Sequence, residues 1–214
     1  SGVIWEGDWM EAPLEGGYDM AEVDGPYGLR KAAWDMMNIE GLAAWYRPHL
    51  ARLTSLMAPS ATVYLWNTAE GWARLDPEMR ALGWEFRTLI IWHKIGAHPA
   101  LIGAKTSKRW PDITEVCGHY KRGEPYHKND GTPNVWSFDS TNEMRGGERL
   151  FSDETTRRPG GSGRYYECRE ALHPCQKPLL FAERMVQAST RPGMRVLIPF
   201  GGTCRIATYL ERLK

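Results

Sequence analysis

Three short strings in this sequence combine residue types and spacings that can do chemistry. Asp24-Gly25-Pro26-Tyr27 puts a carboxylate, a backbone carbonyl free of side-chain cover and an aromatic hydroxyl into four consecutive positions. Taken alone it is a turn, with the aspartate bracing its own backbone. His173-Pro174-Cys175-Gln176-Lys177-Pro178 brings an imidazole, an amide and an ammonium to the start of a helix. Taken alone it is a helix N-terminus, where proline is well tolerated. Val196-Leu197-Ile198-Pro199-Phe200-Gly201-Gly202-Thr203 runs from an apolar stretch into a glycine turn. On its own that is a weak nucleotide-loop signal, since glycine lets backbone approach a ligand closely.

The surrounding elements place all three strings at strand ends. Tyr18–Val23 reads as a short strand, and the turn formers from Asp24 to Gly28 end it. Leu42, Trp45, Leu50, Leu53 and Leu56 recur near helical spacing and predict a helix over about 38–57. The β-branched and aromatic run 61–66 predicts a buried strand, followed by a helix over about 68–82 and a strand over 88–92. From Lys94 to Arg169 periodicity fades, and only islands such as Asn134–Phe138 are apolar. A span that long without regular structure points to a functional insertion. Order returns with a helix over about 178–189, a strand over 194–198 and a helix from Thr203. Strands alternating with helices predict an α/β domain with a mostly parallel sheet.

In this order the three strings resemble the motifs of the permuted, β-class DNA amino-methyltransferases, the adenine-N6 and cytosine-N4 family. There a catalytic Asp-Pro-Pro-Tyr lies near the N-terminus, and His-Pro-x-Gln-Lys-Pro and Asp-Pro-Phe-x-Gly-Ser-Gly follow near the C-terminus. The resemblance extends to Glu6-Gly7-Asp8, Trp34-Asp35, Ile90-Ile91-Trp92-His93-Lys94 and Val135-Trp136. It implies a Rossmann-like, S-adenosylmethionine-dependent fold, with helices on both faces of the sheet. One domain over 1–214 is expected, with an irregular insertion at about 96–169 as the nucleic-acid recognition region.

By resemblance, Asp24, Gly25, Pro26 and Tyr27 are the catalytic residues. Asp8, Asp24, His173, Pro174, Gln176, Lys177, Phe200, Gly202 and Thr203 are the cofactor-binding residues. The expected reaction is methyl transfer to adenine N6, since cytosine-modifying relatives more often carry serine where Asp24 stands. An exocyclic amino nitrogen is a poor nucleophile because its lone pair is delocalised into the ring. Asp24 and the Gly25 carbonyl can accept its two N–H bonds and localise that pair. Tyr27 would stack on a base extruded from the duplex. Asp24 is expected on an exposed loop. For Asp8 a helix cap competes with a cofactor role.

The chain departs from the family at Gly25, Ile198 and Cys204, which stand where proline, an acid and glycine are usual. It ends at Lys214, ahead of the strand that in relatives leads to a ribose-binding acid. Two classes of function therefore stay open: an active enzyme, and a weakly active or inactive relative that binds nucleic acid or serves as a partner subunit.

The net charge of +1 divides unevenly, −7 over residues 1–86 and +4 over each of 87–169 and 170–214. That permits one basic face. Lys105, Lys108, Arg109, Lys121 and Arg122, with Trp110, Tyr120 and Tyr126 among them, are the expected nucleic-acid contacts. The four cysteines form no Cys-x-x-Cys pair, which suits a reducing compartment. A zinc site from Cys117, His119, His127 and Cys168 would lack regular ligand spacing, so no metal is expected. No apolar run reaches the ~20 residues of a membrane span, and no signal peptide is legible at the N-terminus. DNA is the expected partner, in the cytoplasm of a bacterial or phage-infected cell, with a homodimer as an alternative assembly.

Overall fold

The computed structural model describes residues 2–30, 35, 37–95, 110, 112–128, 131–139, 144–145, 148–149, 177, 179–202 and 205–212. Six strands form one sheet: β1 (Tyr18–Val23), β2 (Met57–Asn67), β3 (Glu85–Ile95), β4 (Thr114–Arg122), β5 (Val135–Asp139) and β8 (Val196–Leu197), in the order β5-β3-β4-β2-β1-β8. Two-residue strands β6 (Met144–Arg145) and β7 (Glu148–Arg149) pair separately. β1 runs parallel to β2 and β8, and β3 parallel to β5, while β4 runs antiparallel to both β2 and β3. Five strands thus point one way, and β4 alone points back.

Consecutive residues of the central strands enter different cores. Ala21, Val63 and Leu65 face α1 (Leu42–Leu56) and α2 (Ala69–Ala81), whereas Met20, Tyr64 and Trp66 face α3 (Leu179–Ser189) and α4 (Arg205–Arg212). A sheet covered on both faces needs continuously apolar strands, which is why β2 reads as an unbroken run. In α1, the buried Leu42, Tyr46, Leu50, Leu53 and Leu56 recur at intervals of three and four, so one stripe meets the sheet. Thr68 caps α2 by accepting a hydrogen bond from the Gly71 amide at 3.0 Å. Gly83, at φ 84°, stops it.

The expected irregular span at 96–169 needs correction, because it supplies the sheet's central antiparallel strand, β4, and its edge strand, β5. Gly118 in mid-strand reads as a breaker, yet a side chain there would collide with Tyr120 and the Trp72 indole, at 2.6 and 2.7 Å from the Cβ. Glycine makes room for the Trp72 N–H to donate to the Tyr120 hydroxyl at 2.9 Å.

One edge of the sheet collects the ends of five strands and the start of β4. Val23 lies opposite Leu65, Asn67 opposite Val116, and His93 opposite Thr114. Among the described residues no helix is long and apolar enough to cross a membrane.

Candidate active site

At that edge the loop after β1 presents Asp24 to a buried ammonium. The Lys177 Nζ, ahead of α3, donates to Asp24 Oδ1 at 2.9 Å and to the Tyr27 hydroxyl at 2.8 Å. It also pairs with Glu115 Oε2 at 2.9 Å. All three ammonium protons are therefore engaged. The Tyr27 hydroxyl lies 3.0 Å from Asp24 Oδ1 and 3.1 Å from Glu115 Oε2, and can donate to one of them at a time. Glu115 holds Lys94 through its other oxygen.

Burial alone would raise the Glu115 carboxyl, but Lys177 and Lys94 outweigh it and hold it down at about 2. The same balance runs the other way at Lys177, where Asp24 and Glu115 overcome burial and keep the ammonium charged. Burial, then Asp24 and Glu115, push the Tyr27 phenol up, so it remains a neutral donor. Glu22, two residues before Asp24, is buried and is pushed up to about 8 by burial and by Asp24.

Behind the loop, Phe200 packs within a cluster of aromatic rings. Its centroid lies 6.0 Å from Trp9, 5.9 Å from Trp45, 6.1 Å from Tyr46 and 5.6 Å from His49. A Cβ on Gly25 would stand 2.5 Å from the Tyr46 hydroxyl and 3.0 Å from the Phe200 ring. The glycine that replaces proline here is thus the residue that fits against Tyr46. The Tyr46 hydroxyl in turn donates to the Pro26 carbonyl at 3.1 Å and fixes the loop. The Trp9 indole donates to His49 Nδ1 at 3.0 Å, which requires that nitrogen unprotonated, and burial lowers the imidazole against the opposing pull of Asp8. Asp35 accepts from the Gly28 and Leu29 amides at 2.7 and 3.0 Å and holds the far end of the loop.

The predicted residues therefore separate into groups. Asp24, Gly25, Pro26, Tyr27, Lys177 and Phe200 come together. Asp24 is not on an exposed loop: its side chain is 23% exposed and ion-paired. Lys177, expected among the cofactor-binding residues, has its ammonium on the Asp24 carboxylate. Asp8 accepts from the Met10 amide at 2.9 Å and caps the 3-10 turn Trp9–Glu11. Gly202 lies in the turn after β8 at φ 49°, with no atom of the described residues within 4 Å of a Cβ there. Lys121 and Arg122 lie at the far end of β4, opposite Thr62 and Ala61. Lys121 pairs with Glu124 and Glu85, and Arg122 donates to the Met57 and Ala58 carbonyls. His173, Pro174, Gln176, Thr203, Lys105, Lys108 and Arg109 lie outside the described residues.

Glu115, Lys94, Glu22 and Tyr46 were not singled out as site residues from sequence. Only Lys94 stood within a resembling string, and nothing in the spacing links Glu115 to a lysine 62 positions later.

Two solved structures share this arrangement of strands and helices. PvuII DNA methyltransferase (cytosine-N4-specific) matches with a TM-score of 0.68 at 13% identity, over 95% of this chain and 74% of that one. M1.HpyAVI, solved as a complex with S-adenosylmethionine, matches at 0.58 and 16% identity, over 92% and 78%. A family model described as DNA methylase matches residues 18–214, from the first residue of β1 onward. A Rossmann-like six-stranded sheet, the loop motif at one strand end and the glycine turn at another all agree with that match, and the chain belongs to the N6/N4 DNA methylase family.

Proposed function

We propose that this protein methylates an exocyclic amino group in DNA, adenine N6 in preference to cytosine N4, with S-adenosylmethionine as donor. The observation that carries the reading is the asymmetry at Asp24. Lys177 and Tyr27 both lie on Oδ1, so Oδ2 is the oxygen left to accept an amino N–H. The Gly25 carbonyl is the second acceptor. Two acceptors draw the nitrogen toward tetrahedral geometry and return its lone pair to it. An amino nitrogen that gains a methyl group would have to shed one proton, and the Asp24 carboxylate is the group placed to take it.

Tyr46 and Asp35 hold the loop in place before substrate arrives, which is the preorganisation such a reaction needs. The residues present fit the cofactor: no described residue crowds the turn at Gly202, and Glu22, Asp24 and Glu115 supply one more acid than Lys94 and Lys177 supply ammoniums, which suits a cationic ligand. Phe200 and Gly202 would hold it, together with His173, Pro174, Gln176 and Thr203 by resemblance. When bound, S-adenosylmethionine supplies the electrophilic methyl group.

Preference for adenine rests on Asp24 where cytosine-modifying relatives more often carry serine. Mass spectrometry of nucleosides from DNA incubated with protein and cofactor is expected to find N6-methyladenine. N4-methylcytosine as sole product would overturn the preference for adenine.

A further inference from the structure

Position 198 holds isoleucine where the family's third motif opens with an acid, and the sheet register shows which residue stands beside it. β8 pairs parallel with β1, Val196 opposite Met20 and Leu197 opposite Ala21. Ile198, the residue just past the end of β8, continues that register toward Glu22. The two also share a face. Glu22 alternates with Ala21 and so points the same way as Met20, into the α3 side of the sheet, where Ile198 packs. Residues opposite one another in neighbouring strands stand about 5 Å apart. A carboxylate absent from 198 and present at 22 has crossed one strand and kept its place in the fold.

Among the described residues Glu22 forms no ion pair of its own, and Lys177, the cation that acts on it, is shared with Asp24 and Glu115. The ammoniums of Lys94 and Lys177 are matched by the carboxylates of Glu115 and Asp24, and Glu22 is a third carboxylate, 8% exposed. Asp24 in the loop after β1, the Trp66 indole on β2, the Cys117 thiol on β4 and Lys177 ahead of α3 surround it. The Trp66 N–H, buried and with no other partner among the described residues, faces the Glu22 carboxyl. A buried acid whose only partners are an indole N–H and an ammonium already shared by two other carboxylates keeps a desolvation cost, which a cationic ligand would relieve. Glu22 lies two residues from Asp24 along β1, a separation of about 7 Å. S-adenosylmethionine carries two cations, a sulfonium that must face the nitrogen at Asp24 and an α-ammonium four bonds away. With Glu22 ionised, the cluster bears one net negative charge, and the ligand bears one net positive charge.

We infer that Glu22 binds the α-ammonium of S-adenosylmethionine in place of the acid missing at position 198. It is a binding and positioning residue, and the inference rests on the cofactor but not on which base is methylated.

Titration calorimetry without DNA tests it, using S-adenosylhomocysteine, which has the α-ammonium, and methylthioadenosine, which lacks it. Glu22→Gln is expected to weaken the first on the order of tenfold or more and to leave the second unchanged. Adding Ile198→Asp to Glu22→Gln should restore affinity. The wild type should also release a proton on binding S-adenosylhomocysteine at pH 7, read as an enthalpy that varies with the buffer's heat of ionisation. This release needs no variant and is expected to vanish in Glu22→Gln. Equal losses for both ligands, an unchanged affinity, or binding without proton release would overturn the inference. So would a wild type that fails to bind while Ile198→Asp alone binds. A protein that binds as expected and methylates cytosine would leave it standing.

Discussion

Asp24 receives two donors on one carboxylate oxygen, and this decides how its substitutions should be read. Asp24→Ala removes the acceptor for the amino group and one of the two carboxylates that neutralise Lys177. Activity is expected to fall on the order of 10²–10⁴-fold. Stability is also expected to fall, by about 1–3 kcal/mol, because a buried ammonium loses a partner. Asp24→Asn keeps the shape and should separate the two effects, losing most of kcat while melting closer to the wild type. An alanine variant with wild-type turnover would remove Asp24 from the chemistry. Gly25 offers a second test at this scale. Gly25→Ala puts a methyl group 2.5 Å from the Tyr46 hydroxyl and is expected to displace the loop, lowering both activity and melting temperature. Tyr46→Phe deletes the obstructing oxygen, so the double variant should recover part of both losses. Strict additivity in that cycle would mean that the two residues do not share the space.

At the level of elements, β4 carries the site's electrostatics. Glu115 opens the strand with its carboxyl held at about 2, well below the ~4.3 of an unfolded chain. A depressed acid stabilises the fold above the unfolded value and loses that contribution as pH falls toward 2. Glu115→Gln is therefore expected to flatten the loss of denaturation free energy between pH 5 and pH 2.5, by on the order of 2 kcal/mol. An acid limb of unchanged slope would assign it to other carboxylates. Glu22 works in the opposite sense. Its raised pKa, about 8, makes stability decline as pH climbs from the unfolded value toward 8. The strand that carries Glu115 was the element least legible in the sequence. Thr114–Arg122 alternates no apolar face, contains Gly118 and carries three charges, so it resembles a loop. Its place comes from its neighbours, because β2 and β3 flank it and Trp72 fills the space over Gly118. By contrast β1 and the stripe of α1 were plain, since local periodicity alone dictates them. The motif loop was legible too, but its ion pair with Lys177 closes across 153 residues and exists only once the sheet has formed.

For the whole molecule, the sheet separates two edges with different duties. Asp24, Lys177, Glu115 and Phe200 lie at one, and Lys121 and Arg122 at the other, with Arg122 tying β4 to the start of β2. Nucleic acid reaching Asp24 has no reason to touch that far edge. The span that contains Lys105, Lys108 and Arg109 joins the end of β3 to the start of β4, both at the active edge. Replacing these three with glutamine is expected to weaken DNA binding and to reduce the slope of log affinity against log salt by about 0.9 for each phosphate no longer neutralised. Lys121→Gln should leave both unchanged. The reverse result would move the DNA to the far edge.

The antiparallel course of β4 has one more consequence. Because β3 arrives at the active edge and β4 departs from it, the intervening span starts and finishes beside the chemistry, and β5 ends at that same edge. The span between β3 and β4 can be lengthened, shortened or replaced without changing a register of the six-stranded sheet, since closing a longer loop costs little. A chimera that takes only residues 96–113 from another family member is expected to keep the sheet and the Asp24 loop, and an altered methylation site in it would assign target choice to that span.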